Sequence, residues 1–93
     1  MKQVICKYPL QMEDDQTIQM PAGAMMMTVQ MQGDSLMLWA VVEPMNDNYE
    51  SFRFRIFGTG DIFNSVPRDL SYIGTAQDVV RGLVWHVFMD KNQ

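Results

Sequence analysis

The sequence predicts an all-β fold: a small antiparallel sandwich or open barrel of six or seven strands, in one domain over residues 1–93. Three observations predict it. Apolar residues recur with period two in short segments, turn-forming residues separate those segments, and no window of roughly eleven or more residues keeps a helical stripe. The segments are residues 4–8, 16–20, 25–32, 35–42, 51–59, 71–77 and 83–89. Pro9, Pro21, Pro44 and Pro67 are expected between strands, where a missing N–H breaks no ladder bond.

The first two segments are short alternating runs ended by Pro9 and Pro21. The third and fourth form a hairpin about Gln32-Gly33-Asp34-Ser35, because Gly-Asp as a two-residue loop tolerates the positive φ that primed turns require. That loop sets the register. Met31 then faces Leu36, Val29 faces Leu38, Met27 faces Ala40 and Met25 faces Val42, an apolar side that reads as core. The opposite side pairs Gln30 with Met37, Thr28 with Trp39 and Met26 with Val41, and is mixed. In the fifth segment Phe52, Phe54 and Ile56 alternate with Arg53, Arg55 and Phe57. The sixth returns through a turn at residues 78–82, and the seventh carries large apolar groups on both faces, which predicts a central strand.

Composition narrows the function classes. Apolar residues make up 47% of the chain and charged residues 19%, a globular balance rather than a disordered one. Seven Lys or Arg against eleven Asp or Glu leave a net charge of −4, which argues against a broad phosphate-binding surface for nucleic acid. The single cysteine, Cys6, forms no internal disulfide, no apolar run of signal-peptide length opens the chain, and the longest apolar run falls far short of the roughly 18 residues of a membrane span. A cytosolic protein without membrane contact is expected. Ten methionines mark a soft core or an adaptable interface.

Few residues suggest chemistry. His86, the only histidine, has no partner at catalytic spacing and reads as a hydrogen-bonded structural imidazole beside a structural Trp85. Cys6 and His86 make no zinc set, so no metal, no cofactor and no enzymatic activity are expected. Gly58-Thr59-Gly60 lacks the third glycine and helix start of a phosphate loop, and its glycines read as a strand end bending into the loop at residues 61–70. A short echo, Phe57-Gly58-Thr59 and Ile73-Gly74-Thr75, is too brief for a repeat. Two surfaces remain. Arg53 and Arg55, joined by Arg81 and by a stacking Tyr72 or Trp39, could grip an anionic ligand, or simply form solvated ion pairs. Trp39 with Met26 and Met37 could form a protein interface, or lie beneath another segment.

Beyond these sites, Ile5-Cys6-Lys7-Tyr8-Pro9-Leu10, Gln16-Thr17-Ile18, Met20-Pro21-Ala22-Gly23-Ala24, Val29-Gln30-Met31-Gln32 and Leu38-Trp39-Ala40 form a recognisable pattern. It continues through Phe54-Arg55-Ile56-Phe57-Gly58-Thr59-Gly60, Tyr72-Ile73-Gly74-Thr75 and Leu83-Val84-Trp85-His86-Val87-Phe88. The pattern resembles a family of small proteins of unknown function encoded by tailed bacteriophages and prophages. Arg55, Gly58, Trp85 and His86 fall within the matching strings, whereas Arg53 and Met25-Met26-Met27 are individual to this chain. The resemblance implies a phage-encoded binding protein of the host bacterial cytoplasm, acting in host takeover or counter-defence on a bacterial protein. Alternatives are sequestration of a small anionic nucleotide-type ligand, and a structural virion component. A homodimer would enlarge so small a core.

Overall fold

The computed structural model describes residues 2–62 and 69–91. Seven strands run through them: β1 (Val4–Leu10), β2 (Asp15–Pro21), β3 (Met25–Gln32), β4 (Ser35–Val42), β5 (Tyr49–Gly58), β6 (Leu70–Asp78) and β7 (Leu83–Asp90). All pairings are antiparallel, and the described residues contain no helix. The strands form two sheets, β1-β4-β3 and β2-β5-β7-β6, stacked as a sandwich that does not close into a barrel. Every segment read from alternation is a strand, and β7 is central in its sheet, between β5 and β6.

The prolines depart from expectation. Pro9 lies inside β1, opposite Met37, and Pro21 closes β2, opposite Tyr49. Both strands are sheet edges, where one side of the backbone has no neighbour and a residue without an N–H is accommodated. Pro67 and most of the predicted loop at residues 61–70 lie outside the described residues.

The β3–β4 hairpin has the predicted loop. Gly33 takes φ +64° and Asp34 stays negative, the type II′ pattern with glycine at the first loop position. From there Met31 faces Leu36 and Val29 faces Leu38, as the register requires. Beyond Thr28 the pairing shifts: Met26 faces Ala40 and Met25 faces Val41, leaving Met27 as a bulge. Met26 therefore turns inward and packs against the core. Met25 and Met27, expected in the core, are 65% and 47% exposed.

A second bulge lies close to the first. In β6, Tyr72 faces Phe88 and Gly74 faces Val87, so Ile73 is the extra residue. β3 and β6 belong to different sheets yet come together here, where a Cβ on Gly74 would stand 3.2 Å from Val29 Cγ2, 3.3 Å from Thr28 Oγ1 and 3.4 Å from the Val29 amide nitrogen. Each strand thus bends next to the point where the two backbones meet, and a residue without a side chain lets them meet.

The core fills the space between the sheets. Val29, Leu36, Leu38, Ala40 and Val42 from one sheet are buried against Phe52, Phe54, Ile56, Ala76 and Val87 from the other, with Leu10 and Met20 completing the cluster. Burying groups of this size stabilises each by about 1.5–3 kcal/mol relative to exposure. The outward side of each sheet is left to polar groups and to the residues that carry the candidate sites.

Candidate functional site

The outer face of the three-stranded sheet is mostly apolar along three rungs. Ile5, Val41 and Met25 form one, Lys7, Trp39 and Thr28 the next, and Pro9, Met37 and Gln30 the third. Met37 is buried and Trp39 half-buried, but neither belongs to the cluster between the sheets. Ile5 and Met25 are more than half exposed. Of the three predicted interface residues, Trp39 and Met37 share this face and Met26 does not, because the bulge at Met27 turns Met26 inward and puts Met25 in its place. Lys7 is the one charged side chain on these rungs; its Nζ donates to Gln32 Oε1 at 2.7 Å.

The predicted anion-binding arginines are separated by their partners. Arg53 forms a two-pronged hydrogen-bonded ion pair with Asp15 and lies 3.8 Å from Asp90. The hydrogen bond from Arg53 holds the Asp15 carboxyl below its ordinary range and raises the guanidinium in turn. Arg81 is claimed at the β6–β7 turn. It donates to Asp78 at 3.0 Å and to the Asp34 carbonyl at 3.1 Å, tying that turn to the β3–β4 turn. Asp78 is buried and also accepts from Trp85 Nε1 at 3.1 Å and from the Arg81 amide at 3.1 Å. Burial pushes its carboxyl up, but these donors outweigh burial and hold it low. Only Arg55 and Tyr72 stay together, both facing Phe88 from the flanking strands. Arg55 donates to the Asp14 carbonyl and lies over the Phe57 ring, 5.6 Å from its centroid.

His86 stands on the outer face of the four-stranded sheet. β7 is the middle strand here, so His86 has Phe57 of β5 on one side and Thr75 of β6 on the other. Both ring nitrogens meet threonine hydroxyls, Nε2 with Thr59 Oγ1 at 2.6 Å and Nδ1 with Thr75 Oγ1 at 3.1 Å. Thr75 in turn meets Tyr72 Oη at 2.5 Å. Hydroxyls donate or accept by rotation, so this chain suits either imidazole tautomer. Phe88 stacks edge-to-face on Phe57 at 5.8 Å and on Tyr72 at 5.5 Å, which stiffens the same surface.

The Gly58-Thr59-Gly60 turn completes this region. Gly60 takes φ +92°, and the Gly58 amide donates at 2.6 Å to the Asp61 carboxylate, so the chain's own acid occupies the amide that a phosphate loop would offer an anion. Phe57, Thr59, Asp61, His86 and Phe88 line an open groove of about 310 Å³ here. No group of three His, Cys, Asp or Glu side chains among the described residues is placed to hold a metal ion.

The family described as a domain of unknown function, DUF7352, matches residues 1–93. The chain belongs to the DUF7352 family. No curated protein and no solved structure matches it. The described residues of this DUF7352 domain include no helix long and apolar enough to cross a membrane.

Three residues that matter here were missed by reading the sequence. Thr59 and Thr75 are the threonines of the two Phe-Gly-Thr and Ile-Gly-Thr strings, and they end on opposite sides of His86. The echo was visible as a pattern; its meaning depends on β7 lying between β5 and β6. Asp78 read only as a turn residue, and the signal available was an Asp opening a turn with Arg81 three positions on.

Proposed function

We propose that this DUF7352 domain is a phage-encoded, non-enzymatic accessory protein that acts by contacting a bacterial host protein in the host cytoplasm, in takeover or counter-defence. The phage origin rests on the sequence resemblance. The contact rests on one observation: Ile5, Met25, Val41 and Trp39 make a continuous apolar outer face that the sandwich core does not use.

Sheet geometry favours contact through this face rather than through an edge. β1 carries Lys7 and Pro9, β2 carries Asp15 and Pro21, and β3 and β6 lie against each other. Charges and prolines on edge strands oppose strand addition. The face also favours a different protein over a second copy. A two-fold axis near Trp39 would bring two Lys7 side chains together, whereas a partner with a carboxylate at its apolar rim would pair with Lys7.

The test is the affinity of the purified host protein recovered by the immobilised domain. Trp39→Lys should weaken it by about 2 kcal/mol or more, roughly thirtyfold in Kd, as at interface hot spots. Lys7→Glu should weaken it severalfold. Unchanged affinity in both variants, or a homodimer that Trp39→Lys dissociates, would overturn the proposal.

A second reading, sequestration of a small anionic nucleotide-type ligand, is favoured by Arg55 and Tyr72 flanking Phe88. It has lost Arg53 and Arg81 to carboxylates. Stabilisation of about 2.7 kcal/mol at a nucleotide concentration a hundredfold above Kd is its expected sign.

A further inference from the structure

The groove beside His86 lies on the other sheet from the proposed contact face and has its own chemistry. Its volume, about 310 Å³, is at the small end of the roughly 300–1,000 Å³ that ligand sites span. The aromatic wall is fixed. Phe57 and Phe88 meet at 73° with centroids 5.8 Å apart, and Arg55 covers Phe57 from one side. Because these half-exposed rings stand at a steep angle, a flat ligand can stack on one while the other closes its edge, without the cost of ordering the wall.

The polar groups define what the ring must carry. Among the described residues no Lys or Arg lines the groove, and Asp61 places a carboxylate in that lining, which disfavours an anionic group beside it. Asp61 Oδ2 already accepts the Gly58 N–H at 2.6 Å, but an ionised carboxylate has about four lone-pair sites, leaving capacity for further donors. Thr59 Oγ1 is anchored on Nε2 of His86, whose Nδ1 meets Thr75 and, through it, Tyr72. The described lining of the groove therefore combines two steeply angled aromatic rings, acceptors and one anchored hydroxyl.

We infer that this groove binds a planar nitrogen heterocycle presenting adjacent N–H donors, of the guanine type, with Asp61 accepting the donors, Thr59 bonding the ring edge, and Phe57 and Phe88 walling its face. Two neighbouring N–H groups match a carboxylate in the way that a guanidinium does. The inference does not rest on the host-protein contact, because Asp61, in the turn after β5, and Trp39, on β4, can be altered separately.

The experiment is a titration of the isotope-labelled full chain, followed by amide chemical shifts, with guanosine, uridine and guanosine monophosphate as probes. Guanosine is expected to give saturable shifts at residues 58–61 and at Phe88, and to bind at least tenfold more tightly than uridine. Asp61→Asn should weaken guanosine at least tenfold; because Asp61 is exposed, an unchanged amide spectrum elsewhere will show that the variant is folded. Thr59→Val should weaken it severalfold, and Trp39→Lys should leave it unchanged. Absence of saturable shifts up to millimolar guanosine would overturn the inference. So would binding indifferent to Asp61→Asn, or binding seen with the monophosphate and not with the nucleoside.

Discussion

The two sheets share one core but turn different surfaces outward. On the three-stranded sheet the outer face is Ile5, Met25, Val41 and Trp39, side chains whose one polar group is the Trp39 indole N–H and which lie outside the core cluster. On the four-stranded sheet the outer face is built: Thr59, His86, Thr75 and Tyr72 form a hydrogen-bonded chain, and Phe57, Phe88 and Tyr72 stack beside it. An apolar face of the first kind is adaptable and suits a large partner. A face of the second kind is preorganised and suits a small one.

Substitutions in the core that both sheets share should cost the most. Phe54 is fully buried where the inner faces meet, and Phe54→Ala is expected to destabilise by about 3–5 kcal/mol, read as a lower denaturant midpoint. Both outer faces would be lost with it. Gly74→Val should cost about 1–3 kcal/mol, because the new side chain meets Val29 and Thr28 of the opposite sheet. An unchanged midpoint would mean that the β3–β6 approach is looser than described.

Asp78 tests the link between the turns in acid. Its folded carboxyl titrates below the ordinary value of 3.8, so its contribution to stability is fully present above that pH and is lost as pH falls through the folded value. Thermal melts across pH 2–6, a window of about four units bracketing that value, should therefore show stability declining on the acid side. Asp78→Asn should flatten that decline and lower Tm at neutral pH; an acid limb of undiminished steepness would assign it to other carboxylates.

Smaller effects sharpen the contrast. Thr59→Val with Thr75→Val removes both hydroxyls from His86 and should cost about 1 kcal/mol, since water can replace part of what is lost on a half-exposed ring. Trp39→Lys should change stability by about 0.5 kcal/mol or less, as expected of a side chain outside the core. A large loss in the second variant would make Trp39 a structural residue rather than a contact.

How much of this was legible follows from where each feature is decided. Strands are decided locally, and alternation in Phe52, Phe54 and Ile56 against Arg53, Arg55 and Phe57 carried directly into buried and half-buried faces. The register of Met25-Met26-Met27 is decided elsewhere. Three identical apolar residues give alternation nothing to distinguish, and the bulge that sorts them stands beside the Gly74 crossing with the other sheet. The site around His86 had the same character: Thr59 and Thr75 are 16 positions apart in sequence, and strand order alone brings them to one imidazole. Arg53 and Arg81 looked available because their carboxylate partners, Asp15 and Asp78, come from another strand and from a buried turn position.

The proposed host protein should meet the Trp39 face and not the His86 face. Adding the purified host protein to the isotope-labelled domain and mapping the shifted amide and indole signals tests it most directly. Shifts are expected at Ile5, Lys7, Met25, Val41 and the Trp39 indole, with residues 58–61 and Phe88 unmoved. Shifts confined to residues 58–61 and Phe88, with the Trp39 indole unchanged, would contradict it.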